Sequence, residues 1–164
     1  MSETTSDAQD RYVSIDKAMR LLHVRPERIT WFIATGLLAS KVDPRDRSRK
    51  LVSLQNIQSL RNSPRLLAPW IIYTLIDPRN NAVRYVGRAH EPQIRLKAHL
   101  RSERAANPAK YRWLQELERN GILPYIEVLE GVYGSLEDAD AHERVWIQYF
   151  KDVGAELTNI QYMD

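Results

Sequence analysis

The segment WIIYTLIDPRNNAVRYVG, residues 70–87, decides how the second half of this chain folds. Residues 70–76 are apolar and rich in β-branched and aromatic side chains, which is typical of a strand. The polar residues 77–81 contain proline and asparagine, which favour a turn, and residues 82–87 resume an extended pattern. The sequence therefore predicts a β-hairpin.

Two tyrosines of this hairpin are predicted to be neighbours. Tyr73 and Tyr85 are both six residues from Arg79, so a turn that is symmetric about Arg79 places them directly opposite each other. Their phenols would then adjoin on one face of the sheet. As a pair inside a core, they would need no functional explanation.

The rest of the second half predicts three helices and one more strand. Helices are expected over residues 92–103 and 108–120, with Asn107 as the N-cap of the second, and a last helix begins at Ser135. A strand is expected over residues 124–132. The order β-β-α-α-β-α predicts an α+β fold, with a small antiparallel three-stranded sheet flanked by helices.

The first half predicts short helices that begin near Ser14 and Pro26, a basic loop over residues 43–50 between two extended stretches, and a helix over 53–61. Four segments of the chain result from these patterns. Residues 1–11 are expected to form a disordered tail, 12–62 a first domain, 63–69 a linker and 70–164 a second domain.

The composition restricts the class of protein. Of 164 residues, 43% are apolar and 27% charged, as in ordinary globular proteins. No window approaches the roughly 18 apolar residues of a membrane span, and the polar N-terminus is unlike a signal peptide, so a cytoplasmic protein with no membrane partner is expected. The absence of cysteine excludes disulfides, thiolate zinc sites and cysteine nucleophiles. Any metal would be a hard cation such as Mg²⁺ or Mn²⁺.

Positive charge is concentrated in one part of the chain. The net charge of +3 is modest, but residues 79–112 contain nine basic and two acidic side chains. A charge run of this kind is explained either by a solvated face or by an anionic partner. Both explanations stay open at this point.

A histidine and an arginine share one side of the helix that follows Pro92. Arg95 and His99 are one turn apart and lie between two apolar ridges, which are formed by Ile94, Leu96, Ala98 and Leu100. Both side chains are therefore predicted to face the protein. Because buried cations are seldom unpaired, the pair needs an anionic partner or a pocket.

Glu143 is predicted to point inward from the last helix. It shares an apolar stripe with Ala139, one turn before it, and Ile147, one turn after it. An inward carboxylate needs a counter-charge, and this spacing alone favours a salt bridge with Arg95 or His99 over a catalytic role.

Six features follow one another at fixed spacing along the second half. The two hairpin strands contain Ile71-Ile72-Tyr73 and Tyr85-Val86-Gly87. Arg95 comes eight residues after Gly87, and His99 four residues after Arg95. The aromatic-rich stretch Glu143-Arg144-Val145-Trp146-Ile147 and, near the C-terminus, Asn159 complete the series.

This series resembles the GIY-YIG nuclease family over about residues 70–160. One departure is Ile71, where the first motif of that family usually has glycine, and this position carries no chemistry. The resemblance implies hydrolysis of a phosphodiester bond in double-stranded DNA by attack of water. The catalytic residues that it implies are Tyr73, Tyr85, Arg95, His99, Glu143 and Asn159.

The resemblance also implies a role for each of these residues. Glu143 would hold one Mg²⁺ or Mn²⁺ ion per active site, and Arg95 would meet the charge that develops on the phosphoryl oxygens. Tyr73 or Tyr85 would orient or deprotonate the water; the sequence does not decide which. A phenol is only about 0.1% ionised at neutral pH, so a neighbouring cation such as Arg95 or Arg88 must help it. His99 would hold a tyrosine or the phosphate in place, and Asn159 would brace the site.

Residues 12–62 resemble the winged helix-turn-helix of the MerR and excisionase type. The segments that carry this resemblance are Tyr12-Val13-Ser14, Leu22-His23-Val24-Arg25-Pro26, Ile33-Ala34-Thr35-Gly36-Leu37 and Val52-Ser53-Leu54. The resemblance implies that the second helix lies in the major groove while the basic loop reaches phosphates. The implied DNA contacts are Arg25, Arg28, Thr30 and Trp31 on the helix, Arg47, Arg49 and Lys50 in the loop, and Arg88 in the second domain. Trp31 departs from the usual polar residue, and packing against the nuclease domain is the alternative.

Three functions are compatible with this sequence. The first is a metal-dependent DNA endonuclease that its own helix-turn-helix domain directs to DNA, with a transient homodimer on DNA for double-strand cleavage. The second is a DNA-binding regulator whose nuclease fold is not catalytic, and the intact set of six residues disfavours it. The third is a structure-specific DNA repair nuclease whose N-terminal module binds protein.

Overall fold

The structure, a computed structural model, describes residues 10–102 and 106–160. Over these residues the chain is α+β, with two antiparallel three-stranded sheets and seven helices, which confirms the α+β part of the prediction. The chain divides into two compact units between Leu67 and Ala68. In this described part, no helix has the length and apolar character needed to cross a lipid bilayer.

The first unit consists of a three-stranded sheet and four helices. Its elements are β1 (Tyr12–Ser14), α1 (Ile15–Leu22), α2 (Pro26–Ala34), β2 (Ser40–Asp43), β3 (Asp46–Ser53), α3 (Leu54–Arg61) and α4 (Pro64–Leu67). The strand order is β1-β3-β2, and β2 and β3 form the basic hairpin that the sequence predicts. Helix α4 lies in the segment that was predicted to be a linker.

Residues 10 and 11 differ from the predicted disordered tail. Asp10 accepts hydrogen bonds from the Ser53 hydroxyl at 2.5 Å and from the Gln55 amide at 3.2 Å. The Leu54 amide donates to the Arg11 carbonyl at 2.7 Å. These bonds fix residues 10 and 11 to the beginning of α3, which a local sequence pattern does not reveal. Residues 1–9 of the predicted tail lie outside the described residues.

The second unit has the predicted order of elements. They are β4 (Trp70–Asp77), β5 (Ala82–Ala89), α5 (Pro92–Ser102), α6 (Pro108–Arg119), β6 (Tyr125–Val132) and α7 (Leu136–Asp152). Strand β4 is central in the sheet, with β5 and β6 antiparallel to it on either side. Asn107 caps α6 as predicted, accepting from the Lys110 amide, and Ser135 and Asp138 form a capping box at α7.

The sheet has a separate apolar core on each face, because successive side chains of a strand point to opposite faces. On one face, three residues of β4 pack with the apolar side of α6: Ile71, Tyr73, Leu75, Trp113, Leu114 and Leu117. On the other face, Ile72 packs with Val86, Val132 and Ile147, the last of which belongs to α7. The sheet therefore separates α6 from α7.

The hairpin register corrects the predicted pairing of the two tyrosines. Tyr73 lies opposite Gly87, and Tyr85 lies opposite Leu75. The loop contains four residues, 78–81, and the register shifts by one further residue between Leu75 and Ile76. The loop and the bulge together displace the pairing by two positions. Because a shift of two restores the same face, the tyrosines remain diagonal neighbours.

The turn of this hairpin is fastened to α6 by a buried carboxylate. Asp77 accepts from the guanidinium of Arg79 at 2.9 and 3.1 Å and from Nε1 of Trp113 at 2.9 Å. The hydrogen bonds from Arg79 hold the pKa of Asp77 well below its usual range, although burial acts in the opposite direction. The stability that this group contributes is therefore present above the unfolded-state pKa near 4 and is lost as the pH falls.

We expect Asp77→Asn to lower the free energy of unfolding by about 2 kcal/mol at neutral pH, because it weakens charge-assisted hydrogen bonds in a buried position. The loss should shrink as the pH falls below 4. Urea unfolding followed by tryptophan fluorescence measures it. The matched control is Glu116→Gln, which removes an exposed partner of the same arginine and should scarcely move the midpoint. Equal midpoints for the two variants would contradict this account of the turn.

Candidate active site

The hairpin places two phenol rings beside a glycine. The ring centroids of Tyr73 and Tyr85 are 6.4 Å apart, with their planes at 55°. A Cβ atom at Gly87 would lie 2.7 Å from the ring of Tyr85 and 2.8 Å from the hydroxyl of Tyr73. Only glycine therefore allows both rings to pack over this point of β5.

A cleft of about 200 Å³ lies beside β5 and collects residues from four elements and the C-terminal segment. Its lining consists of Tyr85, Arg95, Ala106, Asn107, Lys110, Glu143, Asn159 and Ile160. Four of the six predicted catalytic residues are among them, although they are distant in sequence. The other two, Tyr73 and His99, are buried, with 0% and 1% of their surface exposed.

His99 connects the two tyrosines to a lysine. Its Nε2 is 3.5 Å from the hydroxyl of Tyr73, and its ring meets the ring of Tyr85 edge-on, with centroids 5.5 Å apart. Its Nδ1 is 2.8 Å from Nζ of Lys110. The predicted burial of His99 is confirmed.

Lys110 is a residue of this site that the sequence analysis missed. It is buried in α6 on the same side as Trp113, Leu114 and Leu117. The spacing of these four positions is that of one helical stripe. The sequence signal that could have identified it is a lysine at a position where the amphipathic pattern of the helix calls for an apolar residue.

Arg95 corrects the prediction that it faces inward with His99. Its side chain is exposed and extends along the cleft. Helix α5 packs on the core through Leu96 and Leu100. At about 100° per residue, Arg95 therefore lies at the flank of the packed side. Ile94, which is 49% exposed, lies opposite the packed side.

Glu143 is buried and forms an ion pair that the sequence analysis did not propose. Its Oε2 is 3.1 Å from Nε of Arg88, whose guanidinium also donates to Asp140 at 3.2 Å. The predicted partner of Glu143 was Arg95 or His99. Arg88 lies on β5, on the face that α7 covers, and this position accounts for the pairing.

The environment of Glu143 disfavours its charged form. Burial raises the pKa of Glu143, and Arg88 opposes this effect only in part. The described residues contain no group of three or more acidic or histidine side chains close enough to bind one ion. A zinc site, which needs three or four such ligands, does not fit. Mg²⁺ and Mn²⁺ do fit, because magnesium commonly binds through one carboxylate together with water and phosphate oxygens.

Asn159 fastens the C-terminal segment to the edge of the sheet. Its Oδ1 accepts from the amide of Val86 at 2.9 Å, and its Nδ2 donates to the carbonyl of the same residue at 2.8 Å. Asn107 donates to the carbonyl of Thr158 at 2.9 Å and so joins this segment to α6. The amide of Asn159 thus positions a wall of the cleft.

Two predicted DNA contacts on α2 are buried. Arg28 is 3% exposed, and its guanidinium donates to the carbonyl of Leu66 at 2.7 Å. Trp31 is 6% exposed and stacks on Phe32 with centroids 5.8 Å apart. Both lie on the packed side of the helix, so the prediction that they contact DNA is corrected.

Of the other predicted DNA contacts, five are exposed in the first unit, and Arg88 forms ion pairs in the second unit. Arg25, Thr30, Arg47, Arg49 and Lys50 are exposed on α2 and on the β2–β3 hairpin. Arg49 is 3.2 Å from Asp46 in an exposed ion pair, which costs little to break. Arg88 pairs with Asp140 and Glu143, and its side chain is 29% exposed, so its contact with DNA stays a prediction.

No family model, curated protein or solved structure matches this chain. What the cleft can do is therefore inferred from its own side chains. These are a carboxylate, a guanidinium, an ammonium and a phenol, each from a different helix or strand.

Proposed function

We propose that this protein is a metal-dependent DNA endonuclease, with a phosphodiesterase site in the second unit and a DNA-binding first unit. The observation that carries the proposal is the meeting of Tyr85, Arg95 and Glu143 in one cleft. A base, a cation for the phosphate and a metal-binding carboxylate are the groups that hydrolysis of a phosphodiester requires. The resemblance to GIY-YIG nucleases supports the same function, as the cleft combines four residues of that pattern.

Glu143 is the residue that would hold the ion, Mg²⁺ or Mn²⁺, and the bound ion would polarise the phosphate and stabilise the leaving oxygen. Arg95 lines the same cleft and would bind the phosphate. Its guanidinium is exposed, and a guanidinium can donate two parallel hydrogen bonds to phosphoryl oxygens. Charge that develops on these oxygens during the reaction strengthens the bonds.

We assign the role of general base to Tyr85, because its side chain lines the cleft whereas Tyr73 is fully buried. Water attacks phosphorus and loses a proton to the phenolate oxygen of Tyr85 as the new phosphorus–oxygen bond forms. The bond between phosphorus and the leaving ester oxygen breaks, and this oxygen takes a proton from solvent. Tyr73 and His99 hold the ring of Tyr85 from behind.

The first unit is proposed to hold duplex DNA through the exposed cations of α2 and the β2–β3 hairpin. Arg25 stands at the start of α2, and Arg47 and Lys50 stand on the hairpin. These elements correspond to the recognition helix and the wing of the winged helix-turn-helix that residues 12–62 resemble. One cleft per chain would cut one strand, so double-strand cleavage would need a transient homodimer or two successive events.

Labelled duplex DNA, incubated with the full chain in Mg²⁺, in Mn²⁺ or in a chelator, tests the proposal. We expect strand cleavage with either metal and none in chelator, with no covalent protein–DNA adduct because water is the nucleophile. Binding without cleavage in any metal would overturn the enzymatic function and favour the DNA-binding regulator. A strong preference for branched over linear duplex would favour the structure-specific repair nuclease.

We expect Arg47→Ala to weaken binding to all duplex sequences alike and to reduce the slope of log affinity against log salt by about one unit, as the loss of one phosphate contact does. Fluorescence anisotropy at four or more salt concentrations measures the slope. Arg61→Ala, which removes an exposed arginine of α3 in the same unit, serves as the control and should leave the slope in place. A loss at Arg47 confined to one DNA sequence would indicate base recognition instead.

A further inference from the structure

Lys110 occupies a position where packing alone favours an apolar residue. It is 2% exposed and lies on the buried stripe of α6 with Trp113, Leu114 and Leu117. Burial of an ammonium group is costly, and a methionine or leucine would fill the same space without that cost. The lysine therefore needs an explanation in its contacts.

Lys110 contacts two residues of the candidate site, His99 and Tyr85. Its Nζ is 2.8 Å from Nδ1 of His99 and 4.4 Å from the centroid of the Tyr85 ring. A cation above the face of a phenol ring is attracted by the ring electrons, which favours the charged ammonium at this place. An ammonium group has only donors, so Nδ1 of His99 must accept the hydrogen bond.

The hydrogen bond from Lys110 determines which ring nitrogen of His99 carries the hydrogen. With Nδ1 as an acceptor, the imidazole is neutral and carries its hydrogen on Nε2. Nε2 is 3.5 Å from the hydroxyl of Tyr73, so a hydrogen on Nε2 would be directed towards that oxygen. With this tautomer, the hydrogen bonds would run in one direction, from Lys110 through His99 to Tyr73.

We propose that Lys110 is a positioning residue of this site, which fixes the tautomer of His99 and places a positive charge beside Tyr85 that favours its phenolate. The phenolate forms when Tyr85 loses its proton to solvent, and it regains a proton from the attacking water. An opposite charge within about 4–6 Å favours the ionised form of an acid. The catalytic consequence depends on the proposed nuclease function, whereas the tautomer of His99 does not.

The tautomer is tested on the metal-free full chain by NMR with ¹⁵N-labelled histidine. The chain has four histidines, and the His99 signals are assigned by their loss in His99→Asn. We expect the neutral form with hydrogen on Nε2 in the wild type and in Lys110→Arg, and a mixture of forms in Lys110→Met. Lys151→Met, which changes an exposed lysine of α7, is the control. Hydrogen on Nδ1 in the wild type, or the same tautomer in Lys110→Met, would overturn the inference.

The pH dependence of single-turnover cleavage tests the charge beside Tyr85. We expect the rising limb of the Lys110→Met profile to move to higher pH by about one unit, so that cleavage is about tenfold slower at pH 7 and recovers in alkali. Lys110→Arg should restore the wild-type limb. A purely structural role would instead lower the rate equally at all pH values, and that result would overturn the inference.

Failure of the inference and failure of the proposed function are distinguishable. A wild-type chain that does not cut DNA contradicts the nuclease, while the NMR measurement still decides the role of Lys110 towards His99. A wild-type chain that cuts, with a pH profile that Lys110→Met leaves in place, contradicts the inference alone.

Discussion

A Glu143→Gln protein is expected to fold and to bind duplex DNA, but to cut it at least about a thousandfold more slowly than the wild type. Glutamine keeps the shape of the side chain and removes the charge that we propose binds the metal ion. A metal that contributes several kcal/mol to the transition state, at about 1.4 kcal/mol for each factor of ten, accounts for a loss of this size. Single-turnover cleavage in saturating Mg²⁺ measures it.

The stability of this variant separates catalysis from a structural role of Glu143. Because burial raises the pKa of Glu143, folding disfavours its ionised form, and stability is lost as the pH rises through the folded-state pKa. Glutamine has no such loss, and Arg88 retains Asp140 at 3.2 Å. We therefore expect the thermal midpoint to hold or rise at neutral pH. A buried ion pair that the fold required would instead cost about 3–5 kcal/mol when one partner is removed.

Asp140→Asn is the matched control for this prediction. Asp140 belongs to the same helix and pairs with the same arginine as Glu143, but it does not line the cleft. Its cleavage rate should stay within about tenfold of the wild type. A tenfold change corresponds to about 1.4 kcal/mol, which is less than the roughly 2 kcal/mol that a charge-assisted hydrogen bond can contribute. Equal losses of activity in the two variants would attribute the effect to Arg88 rather than to the metal.

The second large effect is expected for Tyr85→Phe, which should slow cleavage by about 10²–10⁴-fold, the usual contribution of a general base. Phenylalanine keeps the ring that packs against Gly87 and His99 and removes only the hydroxyl. The affinity for DNA and the thermal midpoint should stay close to those of the wild type. Tyr73→Phe should have a smaller effect, because Tyr73 is buried behind the cleft.

Tyr125→Phe controls for the loss of a tyrosine hydroxyl. Tyr125 is exposed at the start of β6, where its hydroxyl donates to Asn81 at 3.0 Å, and it does not line the cleft. It should cut DNA at the wild-type rate. If Tyr73→Phe lost more activity than Tyr85→Phe, the assignment of the base would have to be reversed.

Much of the fold could be predicted because its signals are local. Asn107 before Pro108 marks the start of α6, and Ser135 with Asp138 marks the start of α7, since each side chain bonds to a backbone amide within three residues. The apolar and turn residues of 70–87 likewise specify a hairpin by themselves.

The tyrosine pairing could not be predicted to the residue, because it depends on long-range contacts. The prediction of a turn that is symmetric about Arg79 was wrong. The hairpin has a four-residue loop, next to which Asp77 binds Arg79 and Trp113, and a bulge interrupts the strand pairing beyond the loop. The loop and the bulge each move the register by one residue. The total shift of two leaves Tyr73 and Tyr85 on the same face, so they still adjoin. The period of two along a strand is a more robust signal than the register itself.

The environments of charged residues were the least predictable. The resemblance implies DNA contacts for Arg28 and Trp31, but both are buried, and helical spacing alone does not say which side of α2 packs. The partner of Glu143 was also wrong, since Arg88 comes from a strand and no helical pattern relates the two. Lys110 was not predicted, because a single lysine on the buried stripe of α6 belongs to no sequence motif.

The central claim is that this cleft hydrolyses DNA with a divalent metal ion. The most direct measurement is conversion of supercoiled plasmid by wild-type and Glu143→Gln chains prepared side by side, in Mg²⁺ and in chelator, at concentrations where both bind the plasmid. We predict nicked circles, which appear before linear DNA, with the wild type in Mg²⁺ only. Equal nicking by both proteins, or none by a wild-type chain that binds the plasmid in Mg²⁺, would contradict the claim.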